Sequence, residues 1–133
     1  MADTDDLAAT LRAFFAGRPE VRLALLFGSR ARGVEREGSD VAVAVAADPF
    51  DRLALMRDLA AATGLTVDVI DLDRAGYFLL VALLRDGIVV YEGRRHALAE
   101  WRTRAILETE TDRPNFERMR DAFLRKTAEA ARG

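Results

Sequence analysis

The chain has 133 residues, half of them hydrophobic and 32% charged, with 20 Lys and Arg against 22 Asp and Glu for a net charge of -2. That size and balance suit one globular domain. They argue against a disordered chain and a dedicated nucleic-acid binder, which needs a strong basic excess. Cysteine is absent and histidine occurs once, at His96, which excludes disulfides, thiolate chemistry and His-pair metal sites. No apolar run reaches the length of a membrane span, and the acidic start Met1-Ala2-Asp3-Thr4-Asp5-Asp6 is unlike a signal peptide. A cytoplasmic protein is expected, working with carboxylates, arginines and backbone amides.

Leu7, Leu11, Phe14 and Phe15 recur at helical spacing after Thr4, a candidate N-cap, and Gly17 and Pro19 end that helix. Val21 to Phe27 is a short apolar run and reads as a buried strand. Arg32 to Ser39 is polar with two glycines, hence a loop. Asp40 to Ala46 alternates, with Val41, Val43 and Val45 on one face and Asp40, Ala42 and Ala44 on the other. Asp48-Pro49 predicts a cap and first-turn proline for a helix through about Ala62, closed by Gly64. Thr66 to Asp71 is a third strand with Val67 and Val69 inward and Asp68 opposite them. Asp73 is expected to cap a helix to about Asp86, stopped by Gly87. Ile88 to Tyr91 is a fourth strand, expected at an edge. From Arg95 the pattern is helical, with an interruption expected around Asp112-Arg113-Pro114.

Strands alternating with helices predict an α/β or α+β domain over residues 1–93, and 94–133 form a helical extension of the same unit. Charge divides unevenly between the two. Residues 1–93 carry a net charge of -5, and residues 94–133 carry +3.

Gly28-Ser29-Arg30-Ala31-Arg32-Gly33 directly follows the first strand. Glycine admits a phosphate close to the backbone, exposed amides and the Ser29 hydroxyl donate to its oxygens, and Arg30 or Arg32 supplies charge. Alone, such a turn more often just ends a strand. Asp40 and Asp68 on neighbouring strands change the odds. Carboxylates beside a phosphate-cradling turn are what a magnesium-dependent transfer from a nucleoside triphosphate needs.

GSRARG, then SDVAVAV, then VDVIDL resembles the minimal nucleotidyltransferase (MNT) proteins of the DNA polymerase beta superfamily. Their signature is GS with an ARG-like continuation, SDxD on the second strand, and a third acid one strand later. The resemblance extends through LLRDGIVVYEG into the helices beginning near His96 and Trp101. It implies a short mixed sheet with packed helices and a helical C-terminal extension. Members of this length resemble antitoxins encoded beside HEPN-domain ribonuclease toxins, which they silence by moving AMP from ATP to a tyrosine of the toxin. By that resemblance Gly28 and Ser29 hold the triphosphate, Asp40 and Asp68 hold Mg²⁺, and Asp68 activates the acceptor hydroxyl.

One position departs from the pattern. The second acid of SDxD falls at residue 42, which here is Ala42. Asp71 is no substitute, because three residues from Asp68 it faces the other way. Losing an interaction worth several kcal/mol would slow transfer by roughly a thousandfold or more. A natural degenerate transferase and a deliberate substitution both fit. The alternative function is an antitoxin that neutralises its toxin by binding alone, as a hetero-oligomer or with itself. A standalone transferase acting on a small molecule is less favoured, since there is no second substrate domain.

The remaining conspicuous residues have plainer readings. His96 is expected on the surface without a catalytic role. Residues 90–92 lack the arginine that a HEPN ribonuclease motif places before its histidine, so the chain is not the toxin. Leu98, Trp101 and Ala105 form an apolar stripe expected in the core. Phe116, Met119 and Phe123 recur at i, i+3 and i+7, for packing back on the domain or for a groove on a partner. Arg118, Arg120, Arg125 and Lys126 read most simply as a solvated face. Nothing in their spacing singles out Tyr77 or Tyr91 as an AMP acceptor.

Overall fold

A computed structural model describes residues 4–27 and 41–132. Gly28, Ser29, Arg30, Arg32 and Asp40 lie outside the described residues. Four strands, β1 (Val21–Phe27), β2 (Val41–Ala47), β3 (Val67–Asp71) and β4 (Ile88–Glu92), form one sheet in the order β3-β2-β1-β4. β2 and β3 are parallel, joined through α2 (Arg52–Thr63), and β1 is antiparallel to both β2 and β4. The mixed sheet and the edge position of β4 follow the sequence expectation.

Both faces of the sheet are covered, which is why β1 reads as a nearly unbroken apolar run. On one face Val41, Val43, Val45, Val67 and Val69 pack with Leu7, Leu11 and Phe15 of α1 (Thr4–Ala16) and with Leu55 and Leu59 of α2. On the other face Leu23, Leu25, Ala44 and Ala46 pack against Leu80 and Leu83 of α3 (Tyr77–Asp86), and against Trp101 and Ala105 of α4 (Ala97–Arg132). Arg18, after α1, pairs with Asp58 of α2 and holds that carboxyl below its ordinary range.

Three expected boundaries are corrected. α2 starts at Arg52 because Asp51, not Asp48, accepts from the Ala54 amide at 3.1 Å, while the Asp48 amide continues the strand region by donating to the Glu20 carbonyl. Gly64 closes α2 in the left-handed conformation, φ 73°, which suits a residue without Cβ. Asp73 does not cap α3. Asp71 accepts from the Asp73 amide and caps a short 3-10 turn, Leu72–Arg74, and α3 follows from Gly76.

The third correction is α4, which runs unbroken for 36 residues through Pro114. Proline removes one amide and frees the carbonyl of residue 110, but that turn is exposed, so water can solvate it. Two residues later the Phe116 ring stacks on Tyr77 at 4.4 Å and meets Phe78 edge-on at 5.1 Å, holding the helix just past the proline. The helix is about 54 Å long. Ala97, Trp101, Ala105 and Thr109 bury its base. Beyond Thr109, Phe116 is the one residue of α4 that is not exposed. No described helix is long and apolar enough to cross a membrane.

Leu26 is fully buried, whereas Leu107 is 64% exposed. Leu26→Ala is expected to lower unfolding free energy by about 2–5 kcal/mol, and Leu107→Ala by less than about 0.5 kcal/mol, in urea denaturation.

Candidate active site

The site is set by strand register. In the parallel β2–β3 pair Ala42 lies opposite Asp68, and in the antiparallel β1–β2 pair Phe27 lies opposite Ala42. Paired residues point to the same side of a sheet. Phe27, Ala42 and Asp68 therefore make one row across three strands, on the face that carries Ala44 and Ala46. Asp68 is partly exposed, as expected from its position opposite Val67 and Val69, which are buried in the other core.

The row sits at one end of the sheet. Phe27 is the last described residue before Gly28, and Val41 follows Asp40 in the chain. The five residues expected to hold phosphate and metal beside Asp68 thus fall between two strands whose register is known, but outside the described residues. Of the catalytic set, the structure places Asp68 and the Ala42 position side by side.

This arrangement decides what the site can hold. Magnesium is commonly bound by one or two carboxylates together with substrate phosphates, so Asp68 can serve as a ligand of one ion. A two-ion centre needs a carboxylate shared between the ions, and the methyl of Ala42 stands beside Asp68 on that face. Among the described residues no cluster of three or more Asp, Glu or His side chains could hold a metal. Of the described residues in this row, Asp68 is the one with a carboxylate to offer a cation. Asp71 cannot fill the gap. It pairs in register with Val45, on the opposite face, and its carboxylate is taken up by the Asp73 amide.

The other sequence candidates resolve simply. His96 is exposed, with φ 69°, just before α4. Trp101 and Ala105 are buried in the core, as expected. Tyr77 is stacked on Phe116, and Tyr91 on Phe15 at 6.1 Å. Phe116 packs back on α3, while Met119 and Phe123 stay 57% and 67% exposed, so packing back on the domain holds for the first residue of the stripe and not for the other two. Sequence reading missed the partners of Asp73. It pairs with Arg22 and lies 3.7 Å from Arg104, tying β1 and α4 to the turn after β3. Nothing in the spacing of residues 22, 73 and 104 signals that meeting, which depends on the sheet order and on the placement of α4.

A family model described as polymerase beta, nucleotidyltransferase matches residues 9–96. That is well over half of the chain, and the chain belongs to this nucleotidyltransferase family. Its fold is shared with solved toxin–antitoxin structures. One, a toxin–antitoxin with AMP-PNP, is 23% identical over 88% of this chain and 98% of that chain, with a TM-score of 0.74. A second, the toxin–antitoxin MntA-HepT, is 21% identical over 91% and 99%, with a TM-score of 0.71. A third, a tri-AMPylated Shewanella oneidensis HEPN toxin in complex with MNT antitoxin, is 23% identical over 82% and 87%, with a TM-score of 0.65. No curated protein sequence matches the chain.

The register gives a direct test. Ala42→Asp places a second carboxylate opposite Asp68, and like charges directly opposite across strands cost roughly 0.2–1 kcal/mol. Without divalent cations this variant is expected to melt below the parent. Added Mg²⁺ is expected to raise its melting temperature more than the parent's, as read by circular dichroism.

Proposed function

We propose that the chain is an MNT-type antitoxin that pairs with a HEPN ribonuclease toxin. Its nucleotidyltransferase site moves AMP from Mg-ATP to a tyrosine of that partner, at a rate depressed by the loss of the acid at position 42. The observation that carries this reading is the strand register, which sets Phe27, Ala42 and Asp68 in one row across three strands. Family membership and the resemblance of GSRARG and SDVAVAV support it.

In this reading Gly28 and Ser29 orient the triphosphate and Arg30 and Arg32 neutralise it. Asp40 and Asp68 are the carboxylates for Mg²⁺, whose contribution is to screen the phosphate charge. Asp68 also receives the proton of the attacking hydroxyl. A tyrosine oxygen then bonds to the α-phosphorus of ATP, and the bond to the β-phosphate oxygen breaks to release pyrophosphate. The setting implied is cytoplasmic.

The test is intact-mass spectrometry of the HEPN partner after incubation with Mg-ATP and the chain, both as given and as Ala42→Asp. A mass gain of one or more AMP groups is expected with Ala42→Asp and little or none with the parent. It is expected to vanish when Asp68→Ala is added. No gain with any form, alongside a stable complex, would leave binding as the whole function.

Neutralisation by binding alone is the second reading, favoured by the distal part of α4. Met119, Phe123 and Leu124 are 57%, 67% and 55% exposed, and Phe78 beside Phe116 is 70% exposed. They flank the Phe116 stack along the free end of the helix, an arrangement suited to an apolar groove on the toxin. Phe123→Asp is expected to weaken the complex at least tenfold by calorimetry while the melting temperature of the free chain stays within a few degrees of the parent's.

A further inference from the structure

On the α3/α4 face, a cavity of about 270 Å³ opens at the end of the sheet away from Asp68. Ala46 lines it, four residues along β2 from Ala42, a separation of about 13 Å at the usual strand rise. Its charged lining comes from three parts of the chain. Arg22 stands on β1 and Asp73 on the turn after β3, with Arg94, Glu100 and Arg104 at the base of α4.

Acceptors are outnumbered there. Asp73 receives Arg22 and stands 3.7 Å from Arg104, and Glu100 accepts from Arg94 at 2.7 Å. Each guanidinium has about five N–H donors and each carboxylate about four lone-pair sites, so two carboxylates cannot saturate three guanidiniums. The excess of one positive charge is reinforced by the first turn of α4, whose Ala97 lines the same cavity at the positive end of a long helix.

A second observation is independent of the charges. Trp101, in the wall, is 5% exposed, and its indole N–H is buried without a hydrogen-bond partner. A buried donor without an acceptor is costly, so a shift of the wall that brought it to an oxygen-rich occupant would be favoured.

We propose that this cavity binds a phosphate-bearing small anion, at a site separate from the one that contains Asp68. A phosphate offers several oxygens in different directions, which suits guanidiniums converging from β1, from the segment before α4 and from α4 itself. The volume is about nine times the share of one water in the liquid, which leaves room for a diphosphate group. Occupancy would clamp β1 to the base of α4.

Trp101 is the single tryptophan in the chain, so its fluorescence reports on the cavity without interference. The experiment titrates the full chain with inorganic pyrophosphate, in chelator and at constant ionic strength. A saturable change is expected for the parent and, unaltered, for Asp68→Ala. The double variant Arg94→Ala/Arg104→Ala is expected to bind at least about tenfold more weakly. Both arginines are more than half exposed, so their removal is compatible with folding, which a melting curve verifies. The lysine pair Arg94→Lys/Arg104→Lys is expected to recover part of the affinity. Four results would each overturn the proposal. They are no saturable response by fluorescence or calorimetry, an unchanged affinity in the double alanine variant, a stronger response to citrate than to pyrophosphate, and loss of binding in Asp68→Ala.

Discussion

Strand β2 has to serve two cores at once. Its valines, Val41, Val43 and Val45, fill the layer under α1 and α2, and its alanines, Ala44 and Ala46, form the floor under α3 and α4. A shift of one residue would exchange every side chain between these faces. The register with β1 on one side and β3 on the other is therefore strongly specified, and it brings Ala42 opposite Asp68. The candidate chemistry depends on that alignment more than on any single contact. It also shows why alanine is accommodated at position 42. Ala44 and Ala46 already pack on this face of β2, so alanine at position 42 continues the pattern of the strand.

The strands were legible because their signal is short-range. Val21 to Phe27 and Asp40 to Ala46 carry period-two or unbroken apolar patterns that few other structures can bury. The placement of Asp68 away from its valine neighbours follows from the same alternation. Helix starts were harder to read. Asp48, Asp51 and Asp73 are all plausible caps by residue type, and the choice among them fell to tertiary hydrogen bonds, such as the Asp48 amide reaching the Glu20 carbonyl. Pro114 reads as a break in any local scheme. The stacking of Phe116 on Tyr77, nearly forty residues earlier in the chain, keeps the helix going, and nothing near Pro114 reports it.

The candidate site divides in the same way. Asp68 on β3 and position 42 on β2 could be paired from sequence, because strand alternation and the family resemblance agreed. The cavity around Trp101 could not, because Arg22, Asp73 and Arg104 come together only once α4 lies across the sheet. Trp101 itself was read correctly as core, yet its indole nitrogen is the one described buried side-chain polar atom without a partner.

α4 gives the charge division of the chain a direction. Residues 1–93 carry -5 and residues 94–133 carry +3, and the second group is strung along a helix whose outer half extends past the packed domain. Negative and positive centres held apart by a rigid rod make an electric dipole moment. In the field of a charged surface such a molecule experiences a torque as well as an attraction. Towards an acidic partner it would turn so that the free end of α4 leads, presenting Phe123 and Met119 before any contact forms. The orienting effect fades as salt shortens the range of the field, so encounter rates would fall with ionic strength more steeply than the small net charge suggests.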